Sequence, residues 1–217
     1  VEIWSDAVCP FCHIGEANFR KALDGFPAKD EVEVIMRSFE LDPDAPVRVD
    51  HDVLTYLSRK TGGSREEVKG MTERIVRMGR GAGVLLDIEG QKLTNTFDAH
   101  RLVHLAAGLG KGPLLMQRLH EAIFADNLNV GEKPVLRKIA VDAGLPEAEV
   151  DALLEGEAFA PEVRRDEKRA RELGINGVPF FLINGTIGVS GAQPVARFAE
   201  ALDEALSGAA VGAGMSS

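Results

Sequence analysis

Strand-forming residues occur only near the two ends of this 217-residue chain, and a long stretch of helical periodicity separates them. At the start, "VEIW" (1–4) has the β-branched and aromatic content of a short strand. "EVEVIMRSFEL" (31–41) reads as a second strand, with Val32, Val34 and Met36 on one face and Ile35 on the other. At the far end, Phe180 to Ile183 reads as a buried strand, Asn184–Gly185 as a two-residue hairpin turn, and "TIGVSG" as the returning strand. Neither group has enough elements to close a core alone. They are expected to pack together into one α/β domain, residues 1–45 with 174–207. The all-helical segment 46–173 would then be an insertion between the N-terminal βαβ and the C-terminal ββα parts, entered through the proline break "DPDAP" (42–46).

Within the insertion, apolar stripes recur at helical spacing: Val68, Met71, Ile75 and Met78 behind a Ser64–Glu67 capping box, then Leu102, Leu105, Ala106 and Leu109. Leu115, Leu119 and Phe124 form a third stripe, and Leu136, Ile139, Ala140 and Ala143 a fourth, closed by Gly144. Met71, Met78 and Met116 read as core rather than as a binding surface. A last amphipathic helix carries Val195, Phe198, Ala199, Leu202 and Leu206, and the small-residue tail 208–217 is expected to be frayed.

Hydrophobic residues make up 45% of the chain, which is enough apolar area for a core. A net charge of −9 argues against nucleic acid or an anionic membrane as partner. The one basic run, "RRDEKRAR" (164–171), is interrupted by acids and reads as a solvated helix face with ion pairs. No apolar run is long enough to span a bilayer and no signal peptide is visible, so a cytoplasmic location is expected. The chain does not open on Met, and leading residues could be absent.

All the sulfhydryl chemistry lies in "SDAVCPFCHIG" (5–15). Pro10 suits the first position of a helix, which makes Cys9 its N-cap or the neighbour of the cap. Unpaired N–H groups and the positive helix end there favour a thiolate at Cys9. Cys12, one turn further in, is placed to displace a substrate from Cys9 through a mixed disulfide. A zinc site would need further ligands, and there is no second cysteine pair. In "GVPF" (177–180), Pro179 suits a cis bond that would leave the Val178 backbone free to pair with an extended substrate. Taken alone it could equally be a trans proline opening an edge strand. With a strand–CxxC–helix start, the two signals support one another.

Several neighbours carry two readings. Asp6 could relay a proton from Cys12 or, as we prefer, serve the strand-to-helix turn. His13, if charged, could stabilise the Cys9 thiolate, or it could point to solvent. His100 and His104 share a helix face at metal-like spacing, but a groove-lining or satisfied helix histidine is the preferred reading. Asn95 or Thr96 is expected to cap that helix. The helix start at Ser190 and Gln193 could bind a carboxylate such as that of glutathione, or simply be a cap of small residues.

These residues resemble the thioredoxin superfamily, and the helical insertion is similar to that of its DsbA-like branch. "IWSDAVCPFCHIG", "NTFDAHRL", "GVPFFLING" and "VSGAQP" resemble the FrnE-like oxidoreductases of that branch, over residues 1 to 206. The resemblance implies a thioredoxin fold with an inserted helical domain and thiol–disulfide oxidoreductase activity. Its catalytic pair falls on Cys9 and Cys12, and its cis-proline on Pro179. By resemblance the segment "NTFDAHRL" faces the substrate groove, which makes Asn95 and His100 candidate substrate contacts; Phe11, His13, Val178 and Gln193 are the further substrate-binding candidates. Cysteine-containing proteins or glutathione would be the substrates, a second thiol–disulfide partner would recycle the pair, and no metal or bound cofactor is implied. The same architecture resembles kappa-class glutathione transferases and 2-hydroxychromene-2-carboxylate isomerases, which have serine where this chain has Cys9. A redox-sensing or chaperone-like binding protein without turnover is a third reading. Phe11 stands where DsbA proteins often have a His that can donate to the thiolate. Cysteine pairs in such folds span about 150 mV, or about 7 kcal/mol, and this one is expected to be less oxidising than a periplasmic DsbA.

Overall fold

A computed structural model describes residues 1–214, with side chains to 208. Four short strands, β1 (Glu2–Ser5), β2 (Ile35–Ser38), β3 (Phe180–Ile183) and β4 (Ile187–Ser190), form one sheet in the order β2-β1-β3-β4. β1 and β2 are parallel and are connected through helix α1 (Pro10–Asp24). β1 pairs antiparallel with β3, and β3 with β4. Strands from both ends of the chain therefore share one sheet, in a thioredoxin-type α/β fold. The hairpin closes where Asn184 and Gly185 both take positive φ (51° and 73°), a conformation that Asn and Gly tolerate.

Alternation along β1 divides the core. Ile3 pairs with Phe181 on the face covered by α1 and by α9 (Val195–Gly214), where Phe19, Phe181 and Phe198 meet with centroids 4.6 to 5.7 Å apart. Trp4 faces the other way and is fully buried, its indole N–H donating to the Asp166 carbonyl at 3.1 Å. Burying an aromatic of this size contributes about 2–3 kcal/mol.

Between β2 and β3 run α2 (Val53–Thr61), α3 (Arg65–Ala82), α4 (Phe97–Ala107), α5 (Gly112–Phe124), α6 (Lys133–Asp142), α7 (Glu147–Glu155) and α8 (Ala160–Glu172). The Ser64–Glu67 capping box is present. Met78 is exposed rather than core: ten residues past Val68 an α-helix has turned about 80° off the starting direction, while Ile75 is only about 20° off. Leu109 is exposed because α4 has ended at Ala107, and Leu206 is exposed on α9.

Two expectations change in the strands and in α8. Val32 and Val34 lie outside β2, because β1 offers pairing partners only from Glu2 onward and Ile35 is the partner of Glu2. The run 164–171 is not simply solvated. Asp166 is buried against the edge of β2, where it accepts the Ser38 N–H at 3.0 Å and pairs with Arg37 at 3.2 Å. Arg169 reaches Glu2 at 2.7 Å. α8 thus packs on the Trp4 face of the sheet, and its Asp166 side chain satisfies the last N–H of β2. The tail 208–217 lies from 215 onward outside the described residues, and α9 is described to Gly214.

Candidate active site

The chain leaves β1 through a tight turn that delivers two sulfurs to the head of α1. The Cys9 N–H donates to the Asp6 carbonyl at 3.0 Å, and Cys9 is the extended N-cap (φ −90°, ψ 113°) before Pro10 at the first helical position. Both cysteines are free thiols; Cys9 is 4% exposed and Cys12 not at all. Burial pushes the Cys12 thiol well above its ordinary value, the adjacent Cys9 sulfur and the charge of Glu16 add to this, and the Asp6 backbone N–H opposes it. Cys12 is therefore held as a thiol at neutral pH.

Across from α1, the Val178–Pro179 bond is cis, and the Cys9 S–H faces the Val178 carbonyl at 3.7 Å. Among the described residues the Val178 N–H has no hydrogen-bond acceptor. Gly15 permits this approach: a β-carbon there would lie 2.9 Å from Pro179 Cγ and 3.3 Å from the Ala192 Cα. Phe11 is 38% exposed and Val178 half-buried. The structure thus brings Cys9, Cys12, Val178 and Pro179 together, with Phe11 on the helix turn between the cysteines.

The other expected residues sit differently. His13 neither points to solvent nor carries charge: it is buried, stacked on His120 with centroids 5.0 Å apart and on Phe124 at 6.1 Å. Burial, with lesser contributions from His120 and Arg20, lowers its pKa to about 3. Asp6 is fully buried and serves the turn. One carboxylate oxygen accepts the Leu41 N–H at 2.7 Å; the other lies 3.5 Å from both the Val8 N–H and His100 Nε2. His100 is buried, and neither ring nitrogen makes a well-formed hydrogen bond. Burial alone would lower its pKa, yet the Asp6 carboxylate, with Glu40 and Glu167 beyond it, holds it above the ordinary value. His104 goes instead to Ser38 at 3.1 Å and Asp166 at 3.2 Å, so the two histidines serve different carboxylates. Thr96 is the N-cap of α4 without a side-chain bond, and Asn95 before it accepts the Phe97 N–H at 2.9 Å and donates to the Pro43 carbonyl at 3.2 Å. The Gln193 amide folds back onto the Ser190 carbonyl at 2.9 Å.

Glu16, a neighbour of Cys12, and the two residues that hold it, Ser5 and His120, are not singled out by the sequence. Glu16 accepts the Ser5 hydroxyl at 2.5 Å and faces His120 Nε2 at 3.4 Å, while His120 Nδ1 lies 2.9 Å from the Ala7 carbonyl. Glu16 could have been noticed from its place one turn after Cys12. His120 could not, since it is one of many residues on a distant helix.

A mixed sheet with a cysteine pair at the head of its first helix, facing a cis-proline loop, defines the thioredoxin-type class of thiol–disulfide proteins. Residues 1–203 match the DSBA-like thioredoxin domain, and the chain belongs to that family of thiol–disulfide oxidoreductases. A probable DsbA oxidoreductase from Streptomyces coelicolor is 42% identical and superposes with a TM-score of 0.89 over 95% of this chain and 89% of that one. YwbO of Bacillus subtilis is 28% identical over 208 residues, 94% of this chain and 96% of that protein. The cytosolic disulfide reductase DsbM of Pseudomonas aeruginosa, solved with GSH, shares the fold at 17% identity, with a TM-score of 0.61 over 94% of each chain.

Proposed function

We propose that this protein is a thiol–disulfide oxidoreductase of the FrnE-like branch, in which Cys9 exchanges with the substrate sulfur and Cys12 resolves the mixed disulfide. The observation that carries this reading is the placement of Cys9, as helix N-cap, with its sulfur 3.7 Å from the Val178 carbonyl. An extended substrate laid along residue 178 would pair with its free N–H and bring its own sulfur over Cys9. Phe11 and Val178 offer that substrate apolar contact. The asymmetry of the pair supports the division of labour: Cys12 is enclosed and held as a thiol, so it acts only on a sulfur already delivered to Cys9.

Proteins with a reactive cysteine and glutathione are the proposed partners, since either supplies a sulfur that fits this geometry. The transferase or isomerase reading loses weight because a cysteine pair occupies the position where those enzymes have serine, and because the Gln193 amide is already engaged. Reduction of a model disulfide under excess dithiol is the test. Wild type should turn over many times and Cys9→Ser should lose activity to background, whereas equal rates in the two proteins would sink the proposal.

A further inference from the structure

Only a thiolate attacks a disulfide, so resolution requires that the enclosed Cys12 hand its proton to something. Asp6 is badly placed for this, because its carboxylate is already used by the Leu41 and Val8 N–H groups and by His100. Glu16 lies one turn from Cys12 on the same face of α1, with its side chain only 12% exposed. Ser5 and His120 fix one of its oxygens, and the other has no hydrogen-bond partner among the described residues. The Ala7 carbonyl can only accept, so His120 Nδ1 carries a hydrogen. Nε2 then faces the Glu16 oxygen at 3.4 Å.

We propose that Glu16, held by Ser5 of β1 and His120 of α5, receives the Cys12 proton during resolution and returns it in the reverse direction. The step rests on the function proposed above. The Cys12 S–H bond breaks and its proton passes to Glu16; the thiolate attacks the Cys9 sulfur. The bond from Cys9 to the substrate sulfur breaks, and the substrate leaves as a thiolate with the electron pair. The cysteine pair loses two electrons and the substrate disulfide gains them. In the oxidising direction Cys12 is the leaving group and Glu16 protonates it.

The ionisable groups around this assembly are Cys9 and Glu16 beside Cys12, and Arg20, His13 and His120 beside them; Lys21 is directed away, onto the Ala82 carbonyl of α3. A carboxylate that merely stood nearby would hinder the reaction, because its charge pushes the Cys12 thiol further up. Removing the charge therefore has opposite effects under the two roles. Reduced wild type and Glu16→Gln are mixed with excess oxidised glutathione at a series of pH values. Acid quenching and mass then follow the Cys9 adduct as it forms and as it converts to the internal disulfide. Glu16→Gln should resolve about a hundredfold more slowly near neutral pH and approach wild type once Cys12 ionises by itself, with adduct formation unchanged. Resolution as fast as wild type, or faster, overturns the proposal. Should Glu16→Gln fail to fold, the wild-type profile decides. Its resolution rate should reach a plateau below the pH at which Cys12 ionises in Cys9→Ser, and a rate that only tracks that ionisation overturns the proposal. Absence of any adduct on Cys9 instead overturns the underlying function.

Discussion

Cys9 and Cys12 carry the same functional group and differ by what surrounds them. Cys9 sits at the head of α1 beside a carbonyl, whereas Cys12 lies one turn further in, fully buried, with Cys9, Glu16 and the Asp6 backbone as its neighbours. Phe11 between them has no hydrogen to donate to a thiolate. Phe11→His supplies one, and a hydrogen bond to a charged group, about 1.5–3 kcal/mol, should stabilise the reduced form. The reduction potential should rise by about 30–60 mV in equilibrium with a glutathione buffer; no rise would contradict this account of Phe11. His100 makes a second prediction. Its folded pKa lies above the ordinary 6.5, so its protonation stabilises the fold fully below that value and ceases to do so as pH rises through the raised one. The Tm difference between wild type and His100→Gln should therefore be largest in acid and shrink in alkali. A pH-independent difference would mean that the Asp6–His100 ion pair contributes nothing.

At the scale of elements, two junctions hold the site in place. α1 meets the Val178–Pro179 loop at Gly15, where there is no room for a β-carbon. Gly15→Ala should cost about 1–3 kcal/mol in urea unfolding and slow exchange at Cys9, and a variant as stable and active as wild type would show that the contact is loose. α8 meets β2 through Asp166, and Asp166→Ala should cost about 1–3 kcal/mol by leaving the buried Ser38 N–H unpaired, while Arg37 keeps Glu2 at 2.7 Å. The limits of β3 and β4 were legible in the sequence because a buried strand, an Asn-Gly turn and a returning strand are all local signals. The helix start at Pro10 was legible for the same reason. The true start of β2 was not, since it depends on how far β1 extends to pair with it. Nor was the burial of Asp166, which looked like one more acid in a charged run until α8 lay against the sheet. At the site, Cys9, Cys12 and Pro179 were readable from spacing, whereas the neutral state of His13 depends on α5 folding over it.

Across the whole molecule, helices remote in sequence reach the segment that carries the cysteines: His100 from α4 lies against Asp6, and His120 from α5 against Glu16 and the Ala7 carbonyl. The single tryptophan, Trp4, is sealed between the sheet and α8, so its fluorescence reports that junction, while far-UV circular dichroism reports mainly the helices α2–α8. The two signals should unfold together in one transition, and separate midpoints would mean that the helical segment melts independently. That cysteine exchange is the chemistry of this assembly is tested by trapping. Cys12→Ser, incubated with cell extract or oxidised glutathione and digested for mass analysis, should carry mixed disulfides on Cys9, with protein partners, glutathione or both. An unmodified Cys9 under both conditions would contradict the account.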